Sequence, residues 1–151
     1  MSTLTPVQAV FARVHSPTSL TFPEVVASLL KLGVTRYHVD YISRTTTTYT
    51  PKKATSSTDA ETISTEQIAI PAPSAAGVKP STAWDAAALT RALRRVQAGE
   101  TVYAEFAREV VDAGVTGYFA FLEGKRVLYY GLNGDVYVEW FPGAGPAKQE
   151  E

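Results

Sequence analysis

Of the two histidines in this sequence, His15 and His38, only His38 stands beside a carboxylate in a pattern that could move a proton near neutral pH. The run is Arg36-Tyr37-His38-Val39-Asp40. In an extended strand alternate side chains share a face, so Arg36, His38, Asp40 and Ile42 point one way and Tyr37, Val39 and Tyr41 the other. Two residues along a strand place the α-carbons about 7 Å apart, within reach of direct or water-mediated coupling. A carboxylate at that distance favours the imidazolium and orients the ring, which is what a general acid or base requires. The expected roles are His38 as proton donor or acceptor, Asp40 as its orienter, and Tyr49 and Glu139 as substrate-positioning groups supplied by neighbouring strands. The competing reading is that His38 and Asp40 form a structural hydrogen bond at a sheet edge.

Composition narrows the remaining chemistry. Cysteine is absent, which excludes disulfides, thiolate nucleophiles and cysteine-ligated metals. One histidine with carboxylates is a poor zinc set, so neither metal nor cofactor is expected. Fourteen Lys plus Arg stand against fifteen Asp plus Glu, a balance without the basic excess that phosphate-neutralising proteins show, so no nucleic-acid partner is expected. Arg91, Arg94 and Arg95 fall opposite Leu89, Ala92, Leu93 and Val96 on a helix and read as its solvated side. Without a basic, apolar leader or a run of roughly 20 apolar residues, the chain is expected to be cytoplasmic and to have no membrane partner.

The elements that must position these groups follow from a motif that occurs twice. Gly33-Val34-Thr35-Arg36-Tyr37 and Gly114-Val115-Thr116-Gly117-Tyr118 each follow a helix-like run and open an apolar one. Glycine supplies the left-handed residue that ends a helix, and the β-branched pair after it favours extended chain. Sliding one copy onto the other also places Phe22 on Tyr103, Glu24 on Glu105, His38 on Phe119 and Asp40 on Phe121. The first copy thus carries ionisable groups where the second carries phenyl rings.

Helical spacing predicts helices over 6–15, 22–32, 84–98 and 102–113, entered respectively through Thr5, Thr21, Ser81 or Thr82, and Thr101. Strands are predicted over 34–42 and 44–49, with a turn around Ser43 and Arg44, and a meander over 117–122, 126–131 and 135–141 punctuated by Asn133-Gly134. The Ser/Thr/Ala/Pro-rich stretch 52–82 reads as a surface loop or insertion in which only 67–71 is a short edge strand, and 143–151 as a frayed tail. At 151 residues this is one domain. Its class is α+β, with a single mainly antiparallel sheet of five or six strands, about four helices chiefly on one face, and two pseudo-equivalent helix-strand units.

Tyr37-His38-x-Asp40, Thr48-Tyr49, the Ala-Gly-Val-x-x-Tyr segment at 113–118, Val127-x-Tyr129-x-Gly131 and Val138-Glu139-x-Phe141-Pro142 occur in an order and spacing that resemble the YbcV/YdfO-type proteins. These are uncharacterised, prophage-related proteins with a domain of unknown function. The resemblance covers most of the chain apart from the 52–82 stretch and the tail, and implies an α+β domain without implying a reaction. Two functional classes follow. One is a small-molecule-binding domain using the His38/Asp40 face, with a metal-free acid/base enzyme as its catalytic form. The other is a non-catalytic interaction protein, phage- or host-related, that holds a partner through its aromatic sheet face or its long loop. A closed pocket at His38 and Asp40 distinguishes the first, a flat exposed aromatic patch the second.

Overall fold

The computed structural model describes residues 3–52, 60–70 and 82–145. Helices α1 (Pro6–Val14) and α2 (Phe22–Lys31) open alike, with a threonine cap, a proline in the first turn and a reciprocal box, Thr5 with Gln8 and Thr21 with Glu24. Two differences from expectation appear at the later helices. Helix α3 (Ala86–Gln97) is entered through Asp85, whose carboxylate accepts the Ala88 amide at 3.0 Å; Thr82 comes three residues too early and Ser81 lies outside the described residues. Helix α4 (Tyr103–Asp112) starts from Val102 without a side-chain cap. Thr101 precedes the capping position, and its buried hydroxyl has no hydrogen-bond partner among the described residues.

Six strands form one sheet in the order β3-β2-β1-β4-β5-β6, every pair antiparallel. They are β1 (Arg36–Asp40), β2 (Thr45–Lys52), β3 (Thr62–Ala69), β4 (Val115–Phe121), β5 (Arg126–Gly131) and β6 (Val136–Trp140). With four helices among the described residues this is the α+β class predicted. Each half supplies two helices and then a three-stranded meander, and the halves meet where β1 pairs with β4. There His38 lies directly opposite Phe119, the residue onto which the repeat slides it.

The stretch expected to be mostly loop holds a full strand. β3 pairs with β2 over eight positions, from Thr45–Ala69 to Lys52–Thr62, so the expected edge strand at 67–71 covers only its end. An edge strand draws its backbone hydrogen bonds from one neighbour and needs no apolar periodicity, which is why its sequence is quiet. Residues 53–59, 71–81 and 146–151 lie outside the described residues, and with them the rest of the expected loop and most of the expected tail.

The helices cover one face only. Alternate strand residues, Tyr37, Val39, Thr46, Thr48, Tyr118 and Ala120 among them, are buried against Leu29, Phe106 and Val110. Tyrosine is unusually frequent in this core, and its hydroxyls satisfy one another: Tyr41 to Tyr103 at 2.9 Å and Tyr103 to Tyr118 at 3.0 Å. Burial holds the Tyr41, Tyr118 and Tyr129 hydroxyls well above their ordinary value of 10.0. The folded state therefore keeps protons that the unfolded chain releases near pH 10. Stability from this cluster is expected to be complete below about pH 10 and to fall as the pH rises further, read as a decline in Tm beside the ultraviolet signature of tyrosinate.

Both repeat glycines adopt the left-handed conformation required at a helix end, φ +88° at Gly33 and +98° at Gly114. Their surroundings differ. A β-carbon on Gly33 would meet only Thr50 Cγ2 at 3.4 Å, whereas on Gly114 it would fall 2.3 Å from the Ala83 carbonyl oxygen, which is backbone. Gly33→Ala is expected to cost about 1–2 kcal/mol by strain alone and Gly114→Ala more than about 3 kcal/mol, measured by urea denaturation.

Candidate functional site

The face of the sheet away from the helices presents three rows of side chains, set by the registers of β2, β1, β4, β5 and β6. The first row runs Tyr49, Arg36, Phe121, Arg126, Trp140. The second runs Thr47, His38, Phe119, Leu128, Val138. The third runs Thr45, Asp40, Gly117, Tyr130, Val136. None of these side chains except glycine is buried, and Val136 and Val138 are 59% and 38% exposed. Such an uncovered sheet face would ordinarily be polar; here it is largely aromatic and aliphatic.

His38 stands at the middle of this face. Its ring stacks on Phe119 with centroids 4.2 Å apart and 15° between planes, and its Nε2 is 2.6 Å from the Tyr130 hydroxyl. Tyr130 belongs to β5, two strands away, and reaches His38 by leaning across β4 at Gly117. A β-carbon there would lie 2.2 Å from the Tyr130 hydroxyl and 2.5 Å from the Val39 carbonyl oxygen. Glycine inside a strand thus marks the close approach of a side chain and a neighbouring backbone. Burial lowers the His38 pKa below its ordinary value, Asp40 pulls it up and Arg36 pushes it down, with a net lowering. Burial and the Asp40 charge push the Tyr130 hydroxyl up to about 12. At neutral pH the pair is a neutral imidazole and a neutral phenol joined by a hydrogen bond, able to accept or donate one proton to a bound group.

The four residues singled out by sequence do not all gather here. Asp40 shares the His38 face, but its Oδ1 accepts the amides of Ile42 at 2.9 Å and Ser43 at 3.1 Å, pinning the β1–β2 turn, and it reaches His38 only through its field. Tyr130 holds the imidazole instead. Tyr49 lies in the next row, with the Arg36 guanidinium 4.0 Å from its ring centroid. Glu139 is on the opposite side of the sheet, where it accepts from Arg94 at 2.8 Å, Gln97 at 3.0 Å and Tyr137 at 2.9 Å. Burial alone would raise its carboxyl, and those hydrogen bonds outweigh burial and lower it. Alternation decides this placement: in β6 the outward residues are Val136, Val138 and Trp140, so Glu139 falls on the helix side. Sequence reasoning placed Gly117 in the repeated motif and Tyr130 among the aromatic residues of the sheet, and gave neither a role beside His38. The signals were a glycine inside a strand and the tyrosine that alternates with inward Tyr129.

Cations punctuate the first row. Arg36 lies over Tyr49 and Arg126 lies 4.9 Å from the Trp140 ring centroid, and neither makes an ion pair among the described residues. A guanidinium stacked on a ring keeps its in-plane donors for an anion. A groove of 450 Å³ is found at a different place, between α2 and the segment after β6, lined by Val26, Leu30, Trp140 and Phe141 among others and by neither His38 nor Asp40. Among the described residues no group of three or more histidines and carboxylates could hold a metal ion, and no helix is long and apolar enough to cross a membrane.

The charges around His38 set the sign of a titration experiment. In the imidazole proton resonances, His38 is expected to titrate below 6.5, lower still in Asp40→Asn and higher in Arg36→Gln. Gly117→Ala is expected to displace Tyr130 from His38, seen as loss of ring-current shifts between the two rings, at a cost of about 2 kcal/mol or more in stability.

The curated relatives are themselves uncharacterised. Uncharacterised proteins of Mycobacterium bovis and of two Mycobacterium tuberculosis strains are each 39% identical to this chain over 71 residues, covering 47% of the chain and 43% of the relative. The chain therefore matches less than half the length of these curated relatives. A family model matches residues 8–139, a span that takes in α2 to α4 and all of the sheet but Trp140, together with both residues of the His38–Tyr130 pair. On that match the chain belongs to the family described as Protein of unknown function (DUF1398).

Proposed function

We propose that this domain is a non-catalytic interaction protein that holds a partner on the uncovered face of its sheet. The observation that carries this reading is the make-up of that face: Tyr49 of β2 and the aromatic and aliphatic side chains of β4, β5 and β6, two guanidiniums without carboxylate partners among the described residues, and His38–Tyr130 as a hydrogen-bonding centre. A flat surface suits a partner with a surface of its own. Small ligands are usually held in concavities that bury most of their area, and the groove of this domain lies away from His38. On this reading His38 and Tyr130 serve recognition, giving an apolar patch one polar group whose satisfaction depends on the partner. The motif order that resembles the YbcV/YdfO-type proteins supports a phage- or host-related partner.

A photo-activated benzophenone amino acid placed at position 128, in the middle row, tests this in cells, with the same group at position 91 on the exposed side of α3 as control. Adducts with another chain are expected from position 128 and not from 91. Equal yields from the two positions, or none from 128, would overturn the proposal.

A further inference from the structure

The occupant of this face can be specified further, on the reading just given, from how volume and charge are distributed over it. The first row carries the bulky and cationic groups Tyr49, Arg36 and Trp140; the third carries Thr45, Asp40 and Val136 at the corresponding strand positions. The second row is apolar across Phe119, Leu128 and Val138. On β2, β4 and β6 the first-row residue is large and the third-row residue small. On β1 a cation stands at one end and an anion at the other, on β5 both ends are large, Arg126 and Tyr130, and the middle is apolar on β4, β5 and β6.

A twofold axis lying between two such sheets and running across their strands at the middle row reverses each strand onto its own counterpart. It sets the first row of one copy over the third row of the other and the second row over itself. Tyr49 then meets Thr45, Arg36 meets Asp40, Arg126 meets Tyr130 and Trp140, against which Gly145 of its own chain also packs, meets Val136, while His38, Phe119 and Leu128 meet their own counterparts at the axis. On β2, β4 and β6 a large residue opposes a small one, and on β1 a cation opposes an anion, twice over as an isologous interface requires, while on β5 a guanidinium opposes a phenol. Arg36 has no carboxylate within its own chain among the described residues, and Asp40 spends Oδ1 on the turn amides and leaves Oδ2 open. Stacked sheets lie about 10 Å apart and cross at about 30°, so rows near the axis stay in register.

We infer that the partner is a second copy of this chain, packed face to face through the uncovered sheet with Arg36 of each copy against Asp40 of the other. Single-stranded nucleic acid and acidic peptides also use aromatic and cationic surfaces, but neither calls for the Asp40 carboxylate on the same face.

Sedimentation velocity on the full chain over a range of concentrations tests the inference. The wild-type protein is expected to sediment as a dimer. Arg36→Glu, which sets two carboxylates together on each side of the axis, is expected to weaken the dimer by roughly tenfold or more. Adding Asp40→Asn, which keeps an acceptor for the turn amides and removes the opposing charge, is expected to recover part of that loss. Leu128→Glu, meeting its own copy at the axis, should dissociate the dimer independently and covers the case in which Arg36→Glu does not fold. Arg91→Glu should change nothing. A monomeric wild type, an Arg36→Glu and Leu128→Glu pair that both stay dimeric, or an Arg36→Glu defect that Asp40→Asn does not relieve would each overturn the inference. A monomer that still cross-links from position 128 to a foreign protein or a nucleic acid overturns self-pairing and leaves an interaction surface. A protein that does neither removes both.

Discussion

The ladder between β1 and β4 is the interaction on which this architecture depends. Its five register pairs are extended at both ends by backbone hydrogen bonds, Leu122 to Thr35 and Tyr41 to Thr116, each 2.9 Å. Every other strand pairing lies within one half of the chain, so without this ladder the protein would be two separate meanders with two helices each. A three-stranded meander with a pair of short helices has little core of its own. The ladder also explains where the site is: residues opposed across it come from the two halves, and His38 with Phe119 is the central pair.

Covering one face of such a sheet consumes all four helices. The buried side is closed by apolar packing and by tyrosine hydroxyls that bond to one another, so its polar atoms need no solvent. Surface ion pairs fasten the layers: Arg94 of α3 reaches Glu139 of β6, and Arg95 of α3 reaches Glu109 of α4. Exposed pairs of this kind contribute little stability, about 1 kcal/mol at most, and Arg94 meets a Glu139 that strand alternation has already turned to the helix side. The other side of the sheet is left with whatever alternation delivers. That this side carries aromatic and aliphatic side chains among its polar ones is the feature on which the proposed interaction rests.

Polar groups on that aromatic side are arranged by vacancy as much as by attraction. Gly117 removes the one β-carbon that would keep Tyr130 from crossing β4, and the crossing gives His38 a neutral partner where sequence spacing suggested a charged one. Asp40 is held by its turn and acts on both rings through its field alone. The result is a pair that stays uncharged at neutral pH within a row of stacked rings.

Much of this was legible in the chain before folding, because it rests on local rules. Threonine caps with first-turn prolines, glycines after helices, β-branched runs and the Asn-Gly turn identified four helices, most strands and their antiparallel hairpins, and alternation placed Arg36, His38 and Asp40 on one face. The full length of β3 was not legible, since an edge strand is stabilised by a ladder to its neighbour rather than by its own pattern. Nor was the company His38 keeps. Which side of the sheet the helices choose, how β1 registers with β4, and whether a side chain two strands away can lean over a glycine are decided by packing between residues distant in sequence. For that reason Glu139, plausible by chemistry, ends on the side of the sheet away from His38, and Tyr130, one aromatic among many in the sequence, ends 2.6 Å from the imidazole.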